Sequence, residues 1–309
     1  MSRDRAAAVP RPRGADLRLV ALIAVVTVLW GLNWPAMKIA VTGFPPWTFR
    51  AACVLGAGLT LLLLARLSGE PVRLERRLVA PLCLAALTGV TAWQMLVAYG
   101  LMHMGSGRAA IIAFTMPIWA ALLSALFLRE RITTRVLMAL ALGMAGMALL
   151  LGAELARVGA SPLGAALMLL AALSWGAGTV ATKAWDWRIG TMALAGWQLV
   201  VGGLPILAVW ALVEAPVDLS GVDLSATLAL LYVVFVALVF CFTSYLRLVR
   251  LLPASVAALS TLAIPVVGLS SSALLLGEPV GLREGGALLF ILAALALVLM
   301  PGNARAGTR

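Results

Sequence analysis

Residues 29–40 read LWGLNWPAMKIA, and residues 173–184 read LSWGAGTVATKA. In each, a lysine stands eight positions after the tryptophan of a Trp-Gly pair: Trp30-Gly31 with Lys38, and Trp175-Gly176 with Lys183. The two tryptophans and the two lysines are separated by the same 145 positions. A second pair of landmarks recurs at an offset of 148, Pro117 with Glu130 and Pro265 with Glu278. Two landmarks at nearly one offset mark a chain of two related halves, the first kind of pattern to seek in any sequence. The halves are expected at 1–155 and 156–309. Both copies lie inside long apolar runs, and a repeated half in a membrane chain most often encloses a substrate site between the copies.

Composition sets the solvent. Hydrophobic residues make up 63% of the 309 positions and charged residues 11%, against roughly 45–50% and 25% in soluble domains. A polytopic, all-α membrane protein follows, with the lipid bilayer as its surroundings. The net charge of +11 suggests nucleic acid only until position is considered. The basic residues sit in short loops between apolar runs, which is a topology signal. No nucleic-acid partner is expected. Cys53, Cys83 and Cys241 all fall within apolar runs, so no disulfide is expected. The single histidine, His103, excludes a multi-histidine metal site, and no metal or cofactor is expected.

A helix needs about 20 apolar residues to cross a bilayer. Ten spans are expected: 17–41, 47–67, 78–101, 107–128, 132–151, 163–184, 189–212, 224–247, 254–276 and 280–300. The longest break, Gly152 to Pro162, separates the halves. With the N-terminus inside, 18 of the 23 Lys and Arg fall on inner segments, so both termini are expected in the cytoplasm and the chain in the inner membrane. Lys38, Arg50, Arg108, Arg157 and Arg283 are the five exceptions. Five spans per half is an odd number. The second half must then enter from the opposite side, giving inverted repeats about an axis in the membrane plane.

Chemistry-bearing residues are few. Trp30, Trp34 and Lys38 share one helix face with Asn33 beside them, and Trp175, Thr179 and Lys183 repeat it. A polar, aromatic stripe on a membrane helix belongs toward the bundle interior. Snorkelling of the two lysines to the interface is the competing reading. The third span adds Trp93, Gln94 and Tyr99, with His103 at its exit; the eighth adds Thr243, Ser244 and Tyr245. The expected substrate-binding set is Trp30, Asn33, Trp34, Lys38, Gln94, Tyr99, Trp175, Thr179, Lys183 and Ser244. Pro117 and Pro265 fall mid-span, where each frees a carbonyl, on Ala113 or Thr261, and bends its helix. They are the expected gating positions. No acidic residue lies in a span interior. A proton-coupled carrier exposes a carboxylate near mid-membrane, so facilitated movement is expected.

The stretches 29–40 and 173–184, with the two Pro-to-Glu segments, resemble the drug/metabolite transporter superfamily, and within it the ten-helix carriers built from two EamA-type repeats. The resemblance covers essentially the whole chain. It implies a central cavity, alternating access and, in many members, export of amino acids or other metabolites. One branch exports aromatic amino acids, with which Trp30, Trp34 and Trp175 are compatible. Smaller four-helix relatives use a glutamate in their first helix. Here Trp30, Asn33, Trp34 and Lys38 stand there instead, which counts against proton-coupled export of cationic drugs. The expected partner is a small-molecule substrate, an amino acid first, with nucleosides or cationic compounds as alternatives. The expected assembly is a monomer or homodimer. An intramembrane enzyme lacks its residues: only His103, beside Ser106, offers a base, and no aspartate pair lies in a span. A channel needs a filter of carbonyls or charges, and none is visible.

Overall fold

A computed structural model describes residues 17–103, 112–155, 162–264, 266–268, 271 and 282–299. The first half contains α1 (Leu17–Gly43), α2 (Pro46–Leu67), α3 (Val79–Ala86), α4 (Trp93–His103), α5 (Met116–Phe127) and α6 (Thr134–Leu155). The second contains α7 (Pro162–Lys183), α8 (Thr191–Val213), α9 (Leu224–Leu231), α10 (Thr243–Leu251), α11 (Ala254–Leu259) and α12 (Leu282–Leu299). No strand occurs among the described residues. Among the described residues, six helical runs are long and apolar enough to cross a membrane.

Two of these runs are not uniform α-helix. Leu87–Ala92 joins α3 to α4, and Tyr232–Phe242 joins α9 to α10, each as π-helix with wider turns. Leu87 and Tyr232 are again 145 positions apart. Inserted π turns recur at functional sites in α-helices, and both of these border the cavity described below.

Small residues bring the helices close beside larger buried ones such as Phe49 and Leu61, and the outward faces carry large apolar side chains. Along α2, Cys53, Ala57, Gly58 and Ala65 are buried while Leu59, Leu63, Leu64 and Leu67 are exposed. That is the pattern of a helix whose outer face meets lipid, where close backbone approach and van der Waals contact hold helices together. α2 packs on α8. Trp210 Nε1 donates to Thr48 Oγ1 at 3.0 Å, and Gly58 faces Gly196 and Val200. The pairing numbers run in opposite directions, so these two equivalent helices are antiparallel. Glu214, just past α8, closes the start of α2 by accepting from the backbone of Trp47 at 2.9 Å and Thr48 at 2.7 Å. Its counterpart Glu70, just past α2, lies against Gly190 at the start of α8, where any side chain would collide with the carboxylate.

The Trp-Gly glycines hold the halves together. A Cβ on Gly31 would meet Val267 at 2.5 Å, and one on Gly176 would meet the Ala120 nitrogen at 2.9 Å. Each glycine thus lets the first helix of one half press onto the fourth segment of the other. α6 pairs with α12 in the same reciprocal manner.

Three sequence expectations change. α6 runs on to Leu155, so Gly152 lies in a helix and not in the break between halves. The fourth span is not one continuous helix bent at Pro117. A turn at Phe114–Thr115 comes first, and Pro117 opens α5 from the first turn, where a missing N–H costs no helical hydrogen bond. Thr115 Oγ1 instead donates to the Ile112 carbonyl at 2.6 Å. The ninth span likewise begins with the short α11 and passes into turns at Ser260–Ala263. There Ser260 and Thr261 hydroxyls donate to the carbonyls of Ala257 and Ala258, both at 2.7 Å, competing with the helical ladder.

Candidate functional site: a cavity between the two halves

A cavity of about 170 Å3 opens where α1, α2, α4 and α7 meet the π segment of the second half. Trp30, Trp93 and Trp175 form much of its wall. The Trp93 and Trp175 ring centroids are 5.1 Å apart, and those of Trp30 and Trp175 are 6.1 Å apart. Both pairs are tilted, the arrangement aromatic quadrupoles favour. Tyr245 stacks behind them, 5.8 Å from Trp30 and 5.6 Å from Trp175. Val233, Leu238 and Phe242 add an apolar wall from the second π segment, and Gly89 and Val90 add one from the first.

The polar lining is sparse. It consists chiefly of Asn33 on α1, Arg50 on α2, Gln94 on α4 and Thr261 after α11. Arg50 Nη1 donates to Gln94 Oε1. Asn33 Oδ1 is buried without a hydrogen-bond partner among the described residues. Arg50 is the one charged residue of the described lining.

The sequence-derived site residues divide. Trp30, Asn33, Gln94 and Trp175 line the cavity together. Thr179 does not; its Oγ1 pairs with the Tyr245 hydroxyl at 2.8 Å in a buried layer beyond the tryptophans. A small void of about 10 Å3 borders that layer, with Gln198 and Thr182 bonded at 2.9 Å beside it. Lys183 is farther still. Its Nζ donates to the Arg250 carbonyl in the last turn of α10 at 3.1 Å, as cations do at helix C-termini. Tyr99 is 39% exposed and does not line the cavity; its ring lies 5.8 Å from that of Trp47, tilted against it. Ser244 is buried but does not line the cavity; its neighbour Tyr245 joins the aromatic cluster. Pro117 is buried at the start of α5, beside the lining residue Met116. The side chains of Trp34 and Lys38, and all of Pro265, lie outside the described residues.

Sequence reasoning passed over Arg50. Its place near the start of α2 assigns it to the minority of outer basic residues, and nothing local says that it turns inward. One signal was available. Arg50 and Gln94 have Ala195 and Val239 at the equivalent positions of the second half. A polar residue in one copy and an apolar one in the other departs from the duplicated scaffold.

Glu130 also has a definite task. Its Oε1 accepts from the Ala254 backbone at 3.0 Å, so the end of the first half's α5 segment caps α11 in the second. It lies within electrostatic range of Lys183.

A helical bundle of membrane-spanning length with an aromatic, sparsely polar cavity between its halves has a form suited to membrane transport. The chain belongs to the EamA-like transporter family, whose model matches residues 17–152 and 162–300. It is similar to the uncharacterized transporter YoaV of Bacillus subtilis (strain 168), 26% identical over 141 residues, 46% of this chain and 48% of that one. It is similar to the uncharacterized transporter YvbV of the same strain, 31% identical over 134 residues, 43% of each chain. A probable terminal-alkyne amino-acid exporter of Streptantibioticus cattleyicolor is 27% identical over 134 residues, 43% of this chain and 44% of that protein. The chain thus matches about half the length of these curated relatives. A solved structure described as a crystal structure of protein superposes with a TM-score of 0.77 over 91% of this chain and 96% of that one. At 19% identity it shows the shared fold.

Proposed function

We propose that the chain is a ten-span carrier of two inverted five-span repeats, 1–155 and 156–309, that moves small metabolites outward across the inner membrane by alternating access. Amino acids, aromatic ones included, are the first substrates to consider. The observation that carries this reading is the cavity walled by both halves, with Trp30 on one and Trp175 on the other. The antiparallel packing of α2 on α8 supports the inverted relation, since equivalent helices meeting antiparallel require an axis across their length. At about 170 Å3 the cavity is smaller than the roughly 300–1,000 Å3 typical of drug-sized sites, which favours a small metabolite over a bulky drug. The Streptantibioticus relative is named for amino-acid export.

With both termini inside, Asn33, Arg50 and Gln94 lie toward the outer side and Thr179, Tyr245 and Lys183 toward the inner. The Thr179–Tyr245 pair and the Glu130 cap then form the inner closure. The helix breaks before Pro117 and around Ser260–Ala263 supply pivots at related places. No carboxylate lines the described cavity, which supports facilitated, gradient-driven movement. Proteoliposome uptake of amino acids, nucleosides and cationic dyes, with and without a pH gradient, tests the reading. Saturable amino-acid flux that stops at equal concentrations is expected. Uphill accumulation abolished by a protonophore overturns the facilitated mechanism, and flux of dyes alone overturns the substrate class.

A further inference from the structure

We propose that Arg50 is the anchor for a carboxylate on the transported molecule, with Gln94 holding the guanidinium in place and the tryptophan wall taking the apolar remainder. This rests on the carrier reading above and assigns the chemistry that its substrate must present.

The argument begins with charge. A guanidinium stays protonated in proteins, and a charge within a membrane bundle is costly unless something offsets it. Arg50 lines the cavity and is one of its few polar groups. Among the described residues its hydrogen-bond acceptor is the neutral carbonyl of Gln94, and no carboxylate forms an ion pair with it. An arginine carries five donors in a planar fork that matches a carboxylate in two parallel bonds. Gln94 occupies part of that fork and leaves the rest for another acceptor.

The surroundings narrow the ligand further. Arg50 is the sole cation of the described lining, which suits a single negative charge better than a phosphate dianion. Trp30, Trp93 and Trp175 offer flat apolar surface in the same cavity. Asn33 adds a buried oxygen with no protein partner among the described residues, an acceptor suited to an ammonium or amide N–H. Guanidinium, free acceptor and aromatic wall together fit a compact α-amino acid with an apolar side chain. Neither Arg50 nor Gln94 is repeated in the second half, where Ala195 and Val239 stand. The two-fold scaffold does not need them, and a one-headed substrate requires only one such anchor.

The test separates this proposal from the carrier reading by measuring binding and flux independently. Purified full-length protein in detergent is titrated with phenylalanine, leucine and 3-phenylpropionate, and with the matching carboxamides, while its tryptophan fluorescence is followed. Wild type should bind the carboxylates about tenfold or more tightly than the amides, the worth of one charge-assisted hydrogen bond. Arg50→Gln should erase that preference and Arg50→Lys should keep part of it. Arg66→Gln, at the exposed end of α2, serves as the control and should change nothing. Equal binding of acids and amides by wild type needs no variant to fold and overturns the anchor. So does a preference that survives in folded Arg50→Gln. Proteoliposome flux of labelled phenylalanine and leucine is scored separately. Arg50-dependent binding without flux keeps the anchor and defeats the carrier reading; saturable flux indifferent to Arg50→Gln does the reverse.

Discussion

Glu214 shows how single residues tie the halves together. Its carboxylate accepts from two backbone N–H groups and the Thr48 hydroxyl at the start of α2, donors that an α-helix start leaves free. Glu214→Ala should destabilise the folded protein by about 1.5–3 kcal/mol, the range for hydrogen bonds to a charged group. Glu214→Gln should recover part of it. Thermal melting in detergent reads both. Asp223 provides the pH-dependent counterpart. Its carboxylate accepts from the Ala226 backbone at 2.7 Å and from Ser225, and these bonds hold its pKa below the usual carboxylate value. A depressed folded pKa gives stabilisation that is full above the unfolded value of about 3.9 and disappears as pH falls through the folded one. The melting-temperature gap between wild type and Asp223→Asn should therefore hold steady above about pH 5 and close at lower pH. A gap independent of pH contradicts the cap. At this scale the sequence was partly legible. Trp30, Asn33, Gln94 and Trp175 announced themselves as polar or aromatic groups in apolar runs. Arg50 did not, because a cation near a span end reads the same whether it points to water or into a cavity. Tyr99 does not line the cavity: its tip is polar, but helix rotation decides which way it faces.

At the scale of the elements, glycine and π-helix shape the cavity. Gly178 and Gly89 meet backbone to backbone, so a Cβ on Gly178 would strike the Gly89 Cα and nitrogen. α7 lies this close to the first π segment because Gly178 has no side chain. Gly178→Val should cost about 1–3 kcal/mol through overpacking, whereas Gly221→Ala, with nothing within 4 Å of its added Cβ, should leave the melting temperature unchanged. Equal stability of the two variants contradicts the close approach. The small-residue pattern that licenses this packing is visible in the sequence. The π turns are not: LTGVTA and YVVFVALVFCF carry no residue that demands wider turns. Pro117 was visible, yet its effect depended on whether a helix preceded it. The Phe114–Thr115 turn places it at a helix start, which residue type alone cannot reveal.

For the whole molecule, the repeat offset and the apolar runs made the fold class readable, because a bilayer leaves a chain few ways to satisfy its backbone. The proposed inverted topology is inferred from the charge asymmetry and the span count, and single-cysteine labelling tests it. Cysteine at position 218 should react from outside and at 306 from inside; the opposite pattern contradicts the orientation. The central claim is that the cavity between the halves alternately serves the two sides of the membrane. Counterflow tests this most directly. Liposomes holding the purified protein are loaded with unlabelled phenylalanine or leucine, and entry of the labelled compound is timed. A carrier that returns faster when loaded should show labelled entry that saturates and is accelerated by internal substrate, and Trp175→Ala protein that remains folded should lose that acceleration. Entry that rises linearly with concentration and ignores internal substrate would contradict the account.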